Sequence, residues 1–144
     1  MRRLTTENQK KLVNWLSKEG KDEYPQETRC IGQEKDGELI AVVGYNNFTE
    51  KLCQIHVAST DVYWLNKDFL FAIFDYPFNK AKLKVILAPI CKDNYKSLNL
   101  CRKLGFEKVA EIPYAHKDGD LVIMSMKRNQ CKWLQQGEGN ECGN

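Results

Sequence analysis

The sequence has no C-x-x-C pair, although it holds six cysteines, at positions 30, 53, 91, 101, 131 and 142, and two histidines, of which only His56 stands near a cysteine, the lone Cys53. That spacing argues against a zinc site or a disulfide framework, and the cysteines inside apolar runs read as reduced, buried side chains. Charge of one sign is also in short supply. The 22 basic and 19 acidic residues are interspersed and leave a formal +3, so no strong field is offered to nucleic acid or an anionic lipid surface. No run approaches the roughly 20 apolar residues of a membrane span, and the start, Met1-Arg2-Arg3-Leu4-Thr5-Thr6, lacks the apolar stretch of a signal peptide. Together these absences lead to the expectation of a cytoplasmic protein with no metal, nucleic-acid or membrane partner.

What is present suffices for one core. With 144 residues, 42% of them hydrophobic, the chain can bury roughly two-thirds of the surface it exposes when unfolded. A single domain is expected over residues 1–134. Residues 135–144 contain nothing aliphatic or aromatic and are expected to form a disordered tail.

The capping-box spacing of Thr6-Glu7-Asn8-Gln9 and the apolar positions Leu12, Val13 and Leu16 predict an amphipathic helix that stops at Gly20. Asp36-Gly37 then predicts a hairpin between strands at 30–34 and 39–45, and a turn at 46–49 leads to a third antiparallel strand at 51–57. From 64 to 78 the periodic Leu65, Phe69, Ile73 and Tyr76 predict a largely buried helix ending near Pro77. The apolar run at 84–90 reads as a strand covered on both faces, so strand, helix and strand make a right-handed parallel crossover. Pro89 lacks a ladder donor, and pairing is expected to stop or splay there. A short helix over 94–104 ends at Gly105, and Asp118-Gly119 predicts a last hairpin between 109–116 and 121–127. The fold class is thus α/β (α+β), with a mixed sheet: an antiparallel meander, a parallel βαβ crossover, a short helix and a C-terminal hairpin.

That order, with the run Asn94-Tyr95-Lys96-Ser97-Leu98-Asn99-Leu100-Cys101-Arg102-Lys103-Leu104-Gly105-Phe106, resembles the GNAT superfamily of acetyl-CoA-dependent N-acyltransferases. The ending over 123–134 looks like small GNAT-type proteins encoded by tailed bacteriophages. The resemblance implies a cleft where the fourth and fifth strands diverge, entered by the pantetheine arm of acetyl-CoA. It also implies a backbone oxyanion donor near Val57 or Ala58, with Val57, Ala58, Ser59, Asn94 and Ser97 along the coenzyme.

For proton removal from an attacking amine, His56 is the titrating residue nearest that place, with an ordinary pKa of about 6.5. The other reading is a sheet histidine hydrogen-bonded to a neighbour. Cys101 stands where many GNAT enzymes carry a tyrosine that protonates the leaving thiolate; otherwise it is plain core. Asn94 can cap its helix as well as meet the coenzyme. Ala58-Ser59-Thr60-Asp61-Val62-Tyr63-Trp64-Leu65 has no glycine where the family holds the pyrophosphate on a glycine-bearing turn. The activity implied is direct acetyl transfer from acetyl-CoA to a primary amine, on a small molecule or a protein. The alternative is a GNAT scaffold without catalysis, a bacteriophage assembly, virion or host-interaction module anchored by Trp133-Leu134.

Overall fold

The computed structural model describes residues 1–134, and the expected tail at 135–144 lies outside them. Seven strands form one sheet in the order β1-β2-β3-β4-β5-β7-β6. β1 (Arg2–Thr5), β2 (Arg29–Lys35), β3 (Glu38–Asn46) and β4 (Leu52–Ser59) pair antiparallel in sequence order. β4 and β5 (Val85–Cys91) are parallel, and β7 (Gly119–Lys127) lies antiparallel between β5 and β6 (Glu107–His116). The helix α1 (Gln9–Gly20) covers one face, while α2 (Lys67–Asp75) and α3 (Tyr95–Leu104) cover the other.

The Asp36-Gly37 hairpin forms as expected, with both residues at positive φ (53° and 88°), the geometry that matches the twist of its strands. Strand alternation divides the core. Val42, Cys30 and Ala58 face Leu12, Val13 and Leu16 of α1, whereas Ala41, Val43, Tyr45 and Cys53 face Phe69, Ile73 and Phe74 of α2. Gly44 lies under α1, where a Cβ would sit 2.6 Å from Leu16 Cδ2 and 3.0 Å from Thr28 Cγ2.

Five expectations are corrected. The chain begins with a strand: β1 adds to the β2 edge, which four residues containing two arginines do not advertise. Asn8, not Thr6, caps α1 by accepting from Lys11 N at 3.3 Å, because the chain leaves the sheet only after Thr5. Gly20 stays helical and Lys21 takes the left-handed C-cap at φ 56°. Trp64 precedes α2, which starts only after the Asn66 cap. Pro77 does not end the helical path but sits in the first turn of a π-helical segment, Tyr76–Lys80, where it needs no N–H partner.

Candidate active site

The site follows from where one ladder stops. β4 and β5 pair only through Leu52 with Val85, Cys53 with Ile86 and Gln54 with Leu87. Val85 N donates to Lys51 O, so odd-numbered residues of β5 turn their peptide groups toward β4. Arg128 N donates to Lys84 O and Lys92 N to Asp120 O, so even-numbered ones face β7. Pro89 is therefore the next position that would donate to β4, and it has no proton to give. The expected parting at Pro89 is observed on that side, while Pro89 keeps its place opposite Ile123 in β7.

β4 obeys the same alternation. Thr60 N donates to Ile40 O, which makes Val42 with Ala58 and Gly44 with His56 the hydrogen-bonded pairs with β3. Val57 therefore turns its N–H away from β3, toward the gap. Ala58 does the reverse: its peptide group belongs to β3 and its side chain is buried under α1. The gap opens into a cavity of about 690 Å³ whose walls include His56, Val57, Pro89, Asn94, Ser97 and Cys101. The fold thus gathers most of the candidate residues at one cavity; Ala58 and Ser59 are not on its walls.

His56 is held at close quarters. Its Nε2 lies 2.8 Å from Asn46 Oδ1, and its ring packs on Tyr24 with centroids 4.6 Å apart. Burial pushes its pKa from 6.5 down to about 4, opposed in part by the nearby Asp22 carboxylate, so the ring is neutral near pH 7. Burial, with a smaller contribution from Asp22, raises the Tyr24 phenol to about 12. Both neighbours are delivered by the end of α1, where Lys21 N and Asp22 N return to Lys18 O and Ser17 O. Lys117 Nζ, in the β6–β7 turn, reaches Lys21 O at 2.5 Å and ties that turn across the cavity.

On the opposite wall, Asn94 caps α3 by accepting from Ser97 N at 3.2 Å. Desolvation raises the Cys101 thiol to about 11, so it is protonated at neutral pH. Gly105 closes the helix at φ 113°, which explains the glycine of K-L-G-F. His116 lines the cavity, its Nδ1 accepting from Asp118 N at 3.0 Å, whereas Tyr114 is 93% exposed and lies outside it.

The turn after β4 uses its own amides. Tyr63 N donates to Asp61 Oδ1 at 2.8 Å and Trp64 N to Asp61 O at 3.2 Å. The Tyr63 amide, helped by Lys35 at 3.7 Å, holds the Asp61 carboxyl below its usual range. Asp61 does not cap α2; Asn66 does, and its Nδ2 donates to buried Gln33 Oε1 at 2.6 Å. The free strand edge would suit a pantetheine arm, whereas the turn after β4 would offer a diphosphate no glycine and a fixed carboxylate.

Sequence reasoning treated Asn46 only as a turn residue and did not single out Thr28, Asp22 or Tyr24. Alternation of β3 against β4 was the signal for Asn46, since it shares a sheet face with His56.

No protein-family model matches the chain. The architecture is nevertheless that of the GNAT-superfamily acetyltransferases, as the resemblance implied. The yncA protein of Salmonella typhimurium, solved with its cofactor acetyl-CoA, aligns at a TM-score of 0.70 and 12% identity over 98% of this chain and 99% of its own. Mutant forms of the spermidine/spermine N-acetyltransferase SpeG from Vibrio cholerae reach 0.73 at 13% identity, over 95% of this chain and 98% of theirs. Among curated proteins, the acetyltransferase PseH of Campylobacter jejuni is 28% identical over 101 residues, 69% of this chain and 60% of the relative. The match therefore spans less than two-thirds of that relative's length. Its crystal structure in complex with acetyl coenzyme A aligns at a TM-score of 0.62 and 19% identity, over 89% of this chain and 99% of that one.

Proposed function

We propose that this protein transfers an acetyl group from acetyl-CoA to a primary amine by direct attack. The observation that carries the reading is the open edge of β4: parallel pairing ends at Gln54 and Leu87, and the Val57 N–H turns toward the cavity with no strand partner. A fixed amide beside an apolar cleft suits the oxyanion that forms as an amine adds to a thioester. The likeness to PseH, solved with acetyl coenzyme A, and to the spermidine/spermine N-acetyltransferase SpeG supports acetyl-CoA as donor and an amine as acceptor.

In this reading the amine nitrogen bonds to the acetyl carbon, the carbonyl oxygen takes the negative charge beside Val57 N–H, and the C–S bond then breaks. The proton lost by nitrogen passes to the neutral imidazole of His56. The Cys101 thiol, at about 11, is a weaker acid than an alkyl thiol at about 8.5. It would thus steady the departing thiolate by an S–H hydrogen bond and keep its own proton. Asn94 and Ser97 flank the arm. Asp22, beside His56, draws a cationic amine toward the cavity, where it attacks as the neutral amine after releasing its ammonium proton to solvent.

The rival, a catalytically silent binding module, drew on Trp133 as an anchor. That side chain donates from Nε1 to Leu104 O at 2.7 Å and packs on the chain's own core, so it offers no free aromatic to a partner.

The test is a thermal shift with acetyl-CoA followed by transfer of labelled acetyl to a panel of amines. Ligand at 100 times its Kd stabilises by about 2.7 kcal/mol, a shift of several degrees at this size. Ser97→Trp should abolish the shift by filling the slot. Absence of both shift and transfer in the wild type would sink the proposal; an unchanged shift in Ser97→Trp would move the site elsewhere.

A further inference from the structure

We propose that Asn46, anchored by Thr28, is a positioning residue that holds His56 in the tautomer protonated on Nε2 and leaves Nδ1 as its proton-accepting nitrogen. This rests on the reading of His56 as the group that takes the amine's proton. Three observations carry it. Asn46 Oδ1 lies 2.8 Å from His56 Nε2, and an amide oxygen only accepts, so the proton of that bond belongs to the imidazole. Asn46 Nδ2 donates to Thr28 Oγ1 at 3.3 Å, so both ends of the amide are engaged in this orientation. Both partners are buried, Asn46 at 5% exposure and Thr28 at 1%, so water does not compete for these groups.

The architecture explains why the three meet. Asn46 and His56 lie on the α1 face of neighbouring antiparallel strands, one diagonal step apart in the ladder. Thr28 precedes β2 and is fixed by its N–H to Pro25 O at 3.0 Å. Tyr24 stacks on the ring and limits its rotation. A histidine whose Nε2 is engaged in this way can accept a proton only at Nδ1.

The proposal separates tautomer from charge, and two variants read them apart. Asn46→Asp keeps an acceptor on Nε2 and adds a negative charge, so the tautomer persists while the acid limb of kcat/KM moves up by about one pH unit. Asn46→Leu removes the acceptor, so the tautomer is no longer enforced and kcat falls roughly tenfold or more with the KM for acetyl-CoA little changed. The titratable groups around the cavity besides His56 are Lys21, Asp22 and Tyr24 after α1, Cys91 at the end of β5 and Asp93 beyond it, Cys101 on α3, and His116, Lys117 and Asp118 near the last turn. They are the same in all three proteins, so a shift between them reports position 46.

The experiment is nitrogen-15 NMR of the imidazole in the wild type and Asn46→Asp, read beside their pH–rate profiles. A protonated Nε2 in both, with a raised acid limb in the aspartate variant, is the expected result. A wild-type ring protonated on Nδ1, or an aspartate variant with an unmoved limb, overturns the assignment even where Asn46→Leu fails to fold. If instead His56→Gln transfers acetyl at the wild-type rate, the catalytic reading of His56 falls and takes the role of Asn46 with it, whatever the tautomer.

Discussion

Pro89 stands where β5 would next donate to the carbonyl of Ile55, one ladder step beyond the last parallel pair, Gln54 with Leu87. A missing proton at that point leaves the β4 edge open without weakening β7, because the even-numbered residues of β5 carry that second ladder. The two sides of one strand thus have different tasks, and neighbouring substitutions should separate them. Pro89→Ala should change stability by no more than about 0.5 kcal/mol. Ile90→Pro, which removes a donor to β7, should cost about 3 kcal/mol or more. Urea denaturation of the two variants decides; similar losses would refute the alternation argued here.

Diphosphate recognition is the part of the coenzyme site least provided for. The turn from Thr60 to Asn66 has no glycine, spends its Tyr63 and Trp64 amides on Asp61, and keeps that carboxylate ionised. S-Acetylpantetheine, which lacks the diphosphate, should therefore serve as donor with kcat/KM within about tenfold of acetyl-CoA. A loss of a thousandfold would reveal phosphate contacts that the turn does not suggest.

Acid should destabilise the fold through His56. The unfolded ring gains its proton as pH falls through about 6.5, whereas the folded ring resists until about 4. The unfolded state binds more protons between those values, so the stability present above pH 6.5 is lost progressively down to pH 4 and levels off below. The loss is on the order of 3 kcal/mol. His56→Gln should flatten the stability profile over that window, measured by denaturant titrations at fixed pH. Glu111, held at about 2 by hydrogen bonds from Lys108 and Lys92, titrates lower and does so in both proteins.

The close approach of α1 to β3 makes a separate prediction. A Cβ on Gly44 would sit 2.6 Å from Leu16 Cδ2 and 3.0 Å from Thr28 Cγ2, both side chains buried. Gly44→Ala should cost about 1–3 kcal/mol by overpacking. Because Thr28 is pushed, the Asn46–His56 hydrogen bond should loosen too, visible as a changed imidazole nitrogen signal. A neutral substitution would show that α1 can slide.

Most of the scaffold is legible in the sequence. The periodicity of Leu12, Val13 and Leu16, the Asp-Gly pairs at 36–37 and 118–119 and the apolar run ending in Pro89 each mark an element by local chemistry alone. What escaped was pairing. β1 is a strand only because β2 offers an edge, and the cap at Asn8 follows from that displacement. Pro77 looked like a terminator, yet the helical path continues through a wider turn in which its missing N–H is not needed.

The candidate site divides along the same line. His56 could be named from residue type, and Cys101, Asn94 and Ser97 from the resemblance to the GNAT superfamily; their elements bring them to one cavity. Ala58 could not be told from Val57, because which of two neighbouring amides faces a cleft depends on the hydrogen-bonding parity of the strand beside it.

By itself, the sequence determined the order of elements from α1 onward, the glycine that ends α3 and the proline that denies β5 one donor, since each is set within a few residues. Only the tertiary structure decided that Asn46 and Thr28 stand behind His56, that Tyr24 and Asp22 close over it, and that β7 rather than β6 lies against β5. Those relations join segments 10 or more residues apart, and burial of polar groups makes sense only once the partners that satisfy them are in place.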